Sequence, residues 1–321
     1  MKSDIIASII YNLYLKSLRF QRKSIKIKKL CRKVWGKSLK KFADRTITTK
    51  IHGSTVFINY GYSYPIICRE FSTYNNPLVE LSYQTYLIKG SSITIVDIGS
   101  AIGDTVLLLE KSLPGMVEEY YCVEGDKEFS NFLTENLSFL THKRIIESFI
   151  SSSIGKAKSL VKIHPGTASA QGRNEIVTTT LDQLVESDSI GHFDLLKIDV
   201  DGYDGLVLLG SIKTLIRFRP TIIFEWHPII CVDTGNNHVD HFKALDECGY
   251  DRFIFFDNYG NFSHFMTHID YQAIDLMASI LIDNDHKHAV YFDVIAIHCS
   301  SEINIKQLAG LKYSTKHKDR Y

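Results

Sequence analysis

The stretch IVDIGSAIGD, residues 95–104, decides the architecture. An apolar run ends at Asp97, glycines at 99 and 103 bend the chain, and a helical pattern begins at Asp104. An apolar strand without polar alternation marks a strand covered on both faces. Working outward from it, strand and helix patterns alternate after Gly90, which predicts an α/β fold with a mostly parallel, helix-covered sheet. The predicted strands are 93–97, 119–124, 144–149, 193–199, 221–225, 253–256 and 289–298. Helices are predicted at 104–113, 127–139, 204–217 and 238–248, with insertions or mobile flaps at 151–175 and 257–272.

In such a sheet the ligand lies beyond the carboxyl ends of the strands, where glycines allow close backbone approach and a helix start offers free N–H groups. The turn after Asp97 does not follow GxGxxG, because Ser100, Ala101 and Ile102 separate its glycines, and no GK[ST] follows. A phosphate-cradling loop is therefore disfavoured. The second strand ends at Glu124 in YYCVEGD, where a carboxylate accepts from ribose hydroxyls. Paired acids around a glycine turn favour a nucleoside that carries positive charge, such as S-adenosylmethionine.

Further polar groups end the fourth and fifth strands in KIDVDGYD and FEWHP: Lys197, Asp199, Asp201, Asp204, Glu225 and His227. The plainer reading pairs Lys197 with an acid and uses Asp201 and Asp204 as helix caps. For Asp199 and Asp201 the functional reading is the stronger. His227 titrates near neutrality and is a candidate general base, although a single histidine at a strand end is often structural. His238 with His241, and His286 with His288, lack the third ligand of a metal site and are read as surface or loop residues.

The chain of 321 residues, 45% hydrophobic, has enough apolar material for one large or two small domains. Its net charge of +1 conceals an asymmetry: residues 1–45 hold 14 Lys/Arg against Asp4 and Asp44, leaving 23 basic and 34 acidic residues beyond them. Ile6, Ile9, Ile10, Leu13 and Leu18 fall near helical spacing. The segment reads either as an amphipathic arm for a membrane surface or as a helix packed on its own domain. A hairpin is predicted over 46–64 around His52-Gly53-Ser54, then a helix over 75–88. The predicted organisation is thus a basic arm (1–45), a hairpin and helix (46–90), the α/β domain (91–300) and a tail (301–321). Six scattered cysteines without a CxxC pair point to a reducing cytosol, and the apolar run 5–15 is too short to span a bilayer.

The ordered motifs VDIGSAIGD, VEGD, TTTLDQL, DLLKIDVDGYDGLVLLG and RPTIIFEWH resemble the FkbM family of S-adenosylmethionine-dependent methyltransferases over about residues 90–230. The resemblance implies the class I methyltransferase fold, a Rossmann-like seven-stranded sheet with one antiparallel strand, here 289–298. It assigns Asp97, Gly99, Ser100 and Gly103 to the methionine end of the cofactor, Glu124 to its ribose and Ser148 to the region of adenine. The family pattern usually has Asn at the place of Ala101 and Glu at those of Asp201 and Asp204.

The resemblance implies O-methylation of a sugar hydroxyl on a surface glycan or glycolipid, or of a secondary metabolite. Asp199, Asp201, Glu225, His227 and Lys197 are the candidate catalytic groups. Asp199, Asp201 and Glu225 are also a candidate set of oxygen ligands for Mg²⁺. The expected partners are a small-molecule or glycan acceptor and, through the basic arm, the inner face of a membrane. Nucleic acid is disfavoured because the body is acidic and no NPPY-like motif occurs. The alternative is a catalytically inactive binding or assembly module on the same fold.

Overall fold

The computed structural model describes residues 2–21, 24–158, 161–164, 167–169, 175–187, 190–283 and 290–309. The run around Asp97 forms strand β1 (Ile93–Ile98), buried at all six positions, as a strand covered on both faces requires. The other strands of its sheet are β2 (Val117–Glu124), β3 (Lys143–Glu147), β4 (Leu195–Ile198), β5 (Thr221–Trp226), β6 (Tyr250–Asp257), β7 (Phe262–Met266) and β8 (Phe292–His298). Their order is β7-β6-β8-β5-β4-β1-β2-β3. From β3 to β5 all pairings are parallel, while β8 runs antiparallel to both β5 and β6. The chain order reverses between β1 and β4, which opens a crevice at their carboxyl ends.

The mostly parallel sheet and the antiparallel strand before the C-terminus agree with expectation. The strand count does not: β7 pairs antiparallel with β6 and makes an eighth strand inside the stretch 257–272. The predicted helix 204–217 is two helices, Asp204–Leu209 and Ile212–Phe218. They break at Gly210, where the backbone of Ser151 lies so close that a Cβ would meet its carbonyl oxygen at 2.1 Å. The third predicted strand stops at Glu147, and Phe149–Ile150 pairs instead with Glu175–Thr179, which also takes Gly155–Lys158 as a neighbour. Part of the 151–175 interval is therefore a small sheet beside the crevice.

The basic segment forms two helices, α1 (Lys2–Gln21) and α2 (Ile25–Phe42), followed by the hairpin Thr46–Ile51 and Ser54–Asn59. The hairpin turns on His52 and Gly53, both left-handed, which suits the twist of the flanking strands. In α1 the buried stripe is Ala7, Tyr11, Leu15 and Leu18, whereas Ile6, Ile9 and Leu13 are exposed. Trp35 of α2 stacks on Tyr14 and on Tyr60, with ring centroids 4.5 and 5.1 Å apart. These residues share one buried cluster with Ile93 and Ile95 of β1, so the basic helices pack on the α/β body. Among the described residues no helix is long and apolar enough to cross a membrane. All six cysteines are free thiols.

Candidate functional site

β1 ends in a turn whose backbone is left-handed at Gly99, Ala101 and Gly103. Only glycine fits the first position: a Cβ there would lie 1.9 Å from the carbonyl oxygen of Asp199 on the neighbouring strand end. The Ser100 hydroxyl donates to the Asp97 carbonyl at 2.7 Å and closes the turn. The Ala101 amide donates to one oxygen of Glu124 at 2.8 Å, and the Asp126 amide donates to the other at 2.8 Å. Glu124 is therefore anchored beside the glycine turn. Burial raises its pKa to about 7, against the lowering effect of those two amides.

Lys197 on β4 is the direct neighbour of Asp97 on β1. Its ammonium lies 3.0 Å from Asp97 Oδ1 and 3.4 Å from Asp199 Oδ2, while Thr105 donates to Asp97 Oδ2 at 2.6 Å. Burial alone would lower the pKa of Lys197; Asp97 and Asp199 outweigh it and raise it. Lys197 stays charged, and Asp97 is fully engaged in fixing the turn.

At the far side of the crevice the antiparallel register puts Glu225 of β5 directly opposite Asp293 of β8. Like charges in that position repel. Burial, with Asp199 as the next cause, raises Asp293 to about 8 and holds Glu225 well above the usual carboxylate range. Glu225 Oε1 is buried and has no hydrogen-bond partner. Deeper in the fold, Asp204 accepts from the Val200 amide at 3.4 Å and burial raises its pKa to about 7. It is the first residue of its helix but does not cap it, because the N-cap position is Tyr203, whose side chain makes no cap hydrogen bond.

These groups surround a cavity of about 340 Å³. Of the predicted cofactor residues, Gly99, Glu124 and Ser148 line it; Asp97, Ser100 and Gly103 shape the turn behind it. Of the predicted catalytic residues, Lys197, Asp199, Asp201 and Glu225 line it. His227 does not: it is 2% exposed, its Nδ1 accepts from the Ile230 amide at 3.4 Å, and its ring stacks on Tyr291 at 4.9 Å. The described residues contain no group of three His, Cys, Asp or Glu arranged to hold a metal ion. The reading of Asp199, Asp201 and Glu225 as an Mg²⁺ site is corrected accordingly: Asp199 pairs with Lys197, and Glu225 faces Asp293. His238 pairs with Asp275 at 3.1 Å, and His241 is not a surface residue but is buried against Phe224. His286 and His288 lie outside the described residues.

Several lining residues escaped the sequence reading. Tyr62, Tyr64, Tyr74 and Asn75 come from the segment between the hairpin and the α/β domain, and Tyr291 and Asp293 from the last strand and its approach. Tyr62 donates to Asp104, whose pKa burial raises to about 7. The segment bearing Tyr74 is clamped from outside: Phe71 stacks on Tyr259 at 3.9 Å, and Thr73 donates to the Tyr259 carbonyl at 2.7 Å. Six carboxylates line the cavity, and Lys197 is the single Lys or Arg among the described lining residues.

Residues 97–252 match the model of the methyltransferase FkbM domain. Among solved structures, the chain is similar to methyltransferase FkbM from Methylobacillus flagellatus KT, with 14% identity, 50% of this chain and 39% of that chain covered, and a TM-score of 0.37. This chain thus spans about two fifths of that relative's length. It is also similar to TYW2 of M. jannaschii in complex with AdoMet, with 11% identity, coverages of 78% and 84%, and a TM-score of 0.36. A third similar structure is a SAM-dependent O-methyltransferase from Thermotoga maritima, with 14% identity, coverages of 70% and 66%, and a TM-score of 0.34. No curated protein matches the chain.

Proposed function

We propose, from the match of residues 97–252 to the methyltransferase FkbM domain, that the chain transfers a methyl group from S-adenosylmethionine to a hydroxyl oxygen of a sugar-bearing acceptor. The observation that carries the proposal is the turn Gly99–Gly103, tied through the Ala101 amide to Glu124 and opening on a cavity rich in carboxylates. A sulfonium ligand is positively charged, and the four lining carboxyls that burial holds towards the neutral form, Asp104, Glu124, Glu225 and Asp293, release their protons more readily beside such a charge. When bound, the donor supplies an electrophilic methyl group.

In this proposal Glu124 accepts from the ribose hydroxyls, the backbone of the glycine turn receives the methionine end, and Ser148 lies near adenine. The fit rests on the donor set, the Glu124 carboxyl beside Gly99, Ala101 and Gly125 in the cavity wall. The glycines themselves are required by the protein's own packing, since a Cβ at Gly99 or Gly125 would collide with the Asp199 carbonyl oxygen or the Phe149 ring. Lys197 holds Asp97 and Asp199 in place. Glu225 and Asp293 face each other with raised pKa values, and whichever of them has released its proton accepts the proton of the acceptor hydroxyl as its oxygen attacks in line, with the neutral thioether S-adenosylhomocysteine as the leaving group. Asp199 and Asp201 orient the acceptor. His227 acts through Tyr291, whose ring it positions.

The acceptor follows from the same lining. Tyrosines, Asn75 and carboxylates offer partners for several hydroxyls, whereas a phosphorylated acceptor would meet the acids. A neutral glycan, glycolipid or polyhydroxylated metabolite suits it.

The test is transfer of a radiolabelled methyl group from S-adenosylmethionine to a panel of neutral and phosphorylated sugars. Neutral acceptors should become labelled, with a rate that rises as the pH approaches about 8, because the carboxyl pair must release a proton. Full activity in Glu225→Gln and Asp293→Asn, or preference for phosphorylated acceptors, would refute the assignment.

A further inference from the structure

The exposed face of α2 has no role in the site and a composition that demands a partner. The helix carries eight Lys/Arg and no Asp or Glu. Its inner side is fixed: Trp35 lies between Tyr14 and Tyr60, Ser38 accepts from the Tyr60 hydroxyl at 2.8 Å, and Phe42 is buried. The outer side is not. Ile27, Leu30 and Val34, spaced three and four residues apart, form one stripe and are 42%, 63% and 52% exposed. Lys26, Lys29, Lys33, Lys37 and Lys40 are exposed alongside it.

We infer that α2 docks the protein on an anionic lipid bilayer, with Ile27, Leu30 and Val34 entering the boundary between headgroups and acyl chains while the lysines meet the headgroups. Two features select a bilayer as the occupant. The net positive charge lies in the N-terminal segment, since residues 1–45 carry 14 basic and two acidic groups while the 276 residues beyond Arg45 carry 23 basic and 34 acidic ones. The molecule is therefore polar in charge and is oriented by a negative surface with α1 and α2 toward it. Moreover, the apolar stripe is interleaved with the lysines. A phosphate backbone needs only the cations, whereas a bilayer gives the aliphatic side chains an apolar phase and lets the lysine stems extend back to the headgroups. The helix needs no refolding to bind, because its inner face is already packed.

The full chain should sediment with phosphatidylcholine vesicles that contain phosphatidylglycerol at low NaCl, and not with vesicles of phosphatidylcholine alone. The pair Leu30→Ser and Val34→Ser should lower partitioning on the order of tenfold, from two lost apolar anchors. Lys33→Gln with Lys37→Gln should lower it by a similar order. All four positions are exposed, and unchanged circular dichroism and thermal midpoints check that the variants fold. Absence of binding to the anionic vesicles, equal binding to the neutral ones, or unaltered binding of the serine variant would overturn the inference. Displacement from vesicles by duplex DNA, with the serine variant as strong as the wild type on that DNA, would assign the face to nucleic acid instead.

Discussion

Replacing Asp293 with Asn should stabilise the ligand-free protein, and more so as the pH rises. The carboxyl faces Glu225 across an antiparallel pair, and its pKa moves from 3.8 to about 8, through burial first and the charge of Asp199 second. The folded state therefore holds a proton that the unfolded chain releases. Its stabilising contribution is complete below pH 3.8 and is lost as the pH climbs towards about 8. In that window one such group costs about 1.4 kcal/mol per pH unit, so between about pH 5.5 and about pH 7.5 the upper bound is about 2.7 kcal/mol. Solvent access and coupling to the neighbouring carboxyls reduce this to about 1–2 kcal/mol, a shift of a few degrees in Tm for a chain of this size. Asn keeps the shape and cannot ionise. The assay is thermal unfolding followed by far-ultraviolet circular dichroism at the two pH values, wild type against Asp293→Asn. The gain should be larger at the higher pH. An equal gain at both, or a larger one at the lower pH, would refute the picture of an Asp293 carboxyl held neutral by burial and by the charge of Asp199.

Two further substitutions probe the glycine turn. Lys197→Met removes the cation 3.0 Å from Asp97, a residue 3% exposed, and the stranded charge should cost about 3–5 kcal/mol in urea unfolding; a loss under about 1 kcal/mol would show that Thr105 alone satisfies Asp97. Ala101→Asn places a residue tolerant of the left-handed region at φ 45°, and should raise stability by up to about 1 kcal/mol; a destabilised variant would show that the cavity wall rejects the longer side chain.

The parts of the site legible in the sequence are those encoded locally. The run into Asp97, the glycines after it and the acid at Glu124 announce a strand, a turn and a second strand end, and the structure brings them together. Lys197, Asp199, Asp201 and Glu225 were legible for the same reason, as polar residues closing apolar runs. Asp293 was not, because its importance depends on the register between β5 and β8, which no local pattern states. Tyr62, Tyr74 and Tyr291 look like ordinary aromatic residues until packing turns them toward the cavity. His227 shows the reverse: its position in FEWHP suggests chemistry, while the fold uses it to start a helix and support a ring. In α1, apolar residues occupy two faces, so periodicity alone selected Ile6, Ile9 and Leu13 where Ala7, Tyr11 and Leu15 are buried.

The central claim, that the turn after β1 and Glu124 hold a nucleoside methyl donor, is tested most directly by calorimetric titration of S-adenosylmethionine and S-adenosylhomocysteine into wild type and Glu124→Ala. Saturable binding of both ligands by the wild type, lost or weakened at least tenfold in the variant, is the predicted result, since the variant gives up a hydrogen-bonded charged group at the ribose. Wild-type protein that binds neither ligand, or a variant that binds as tightly as wild type, would contradict it.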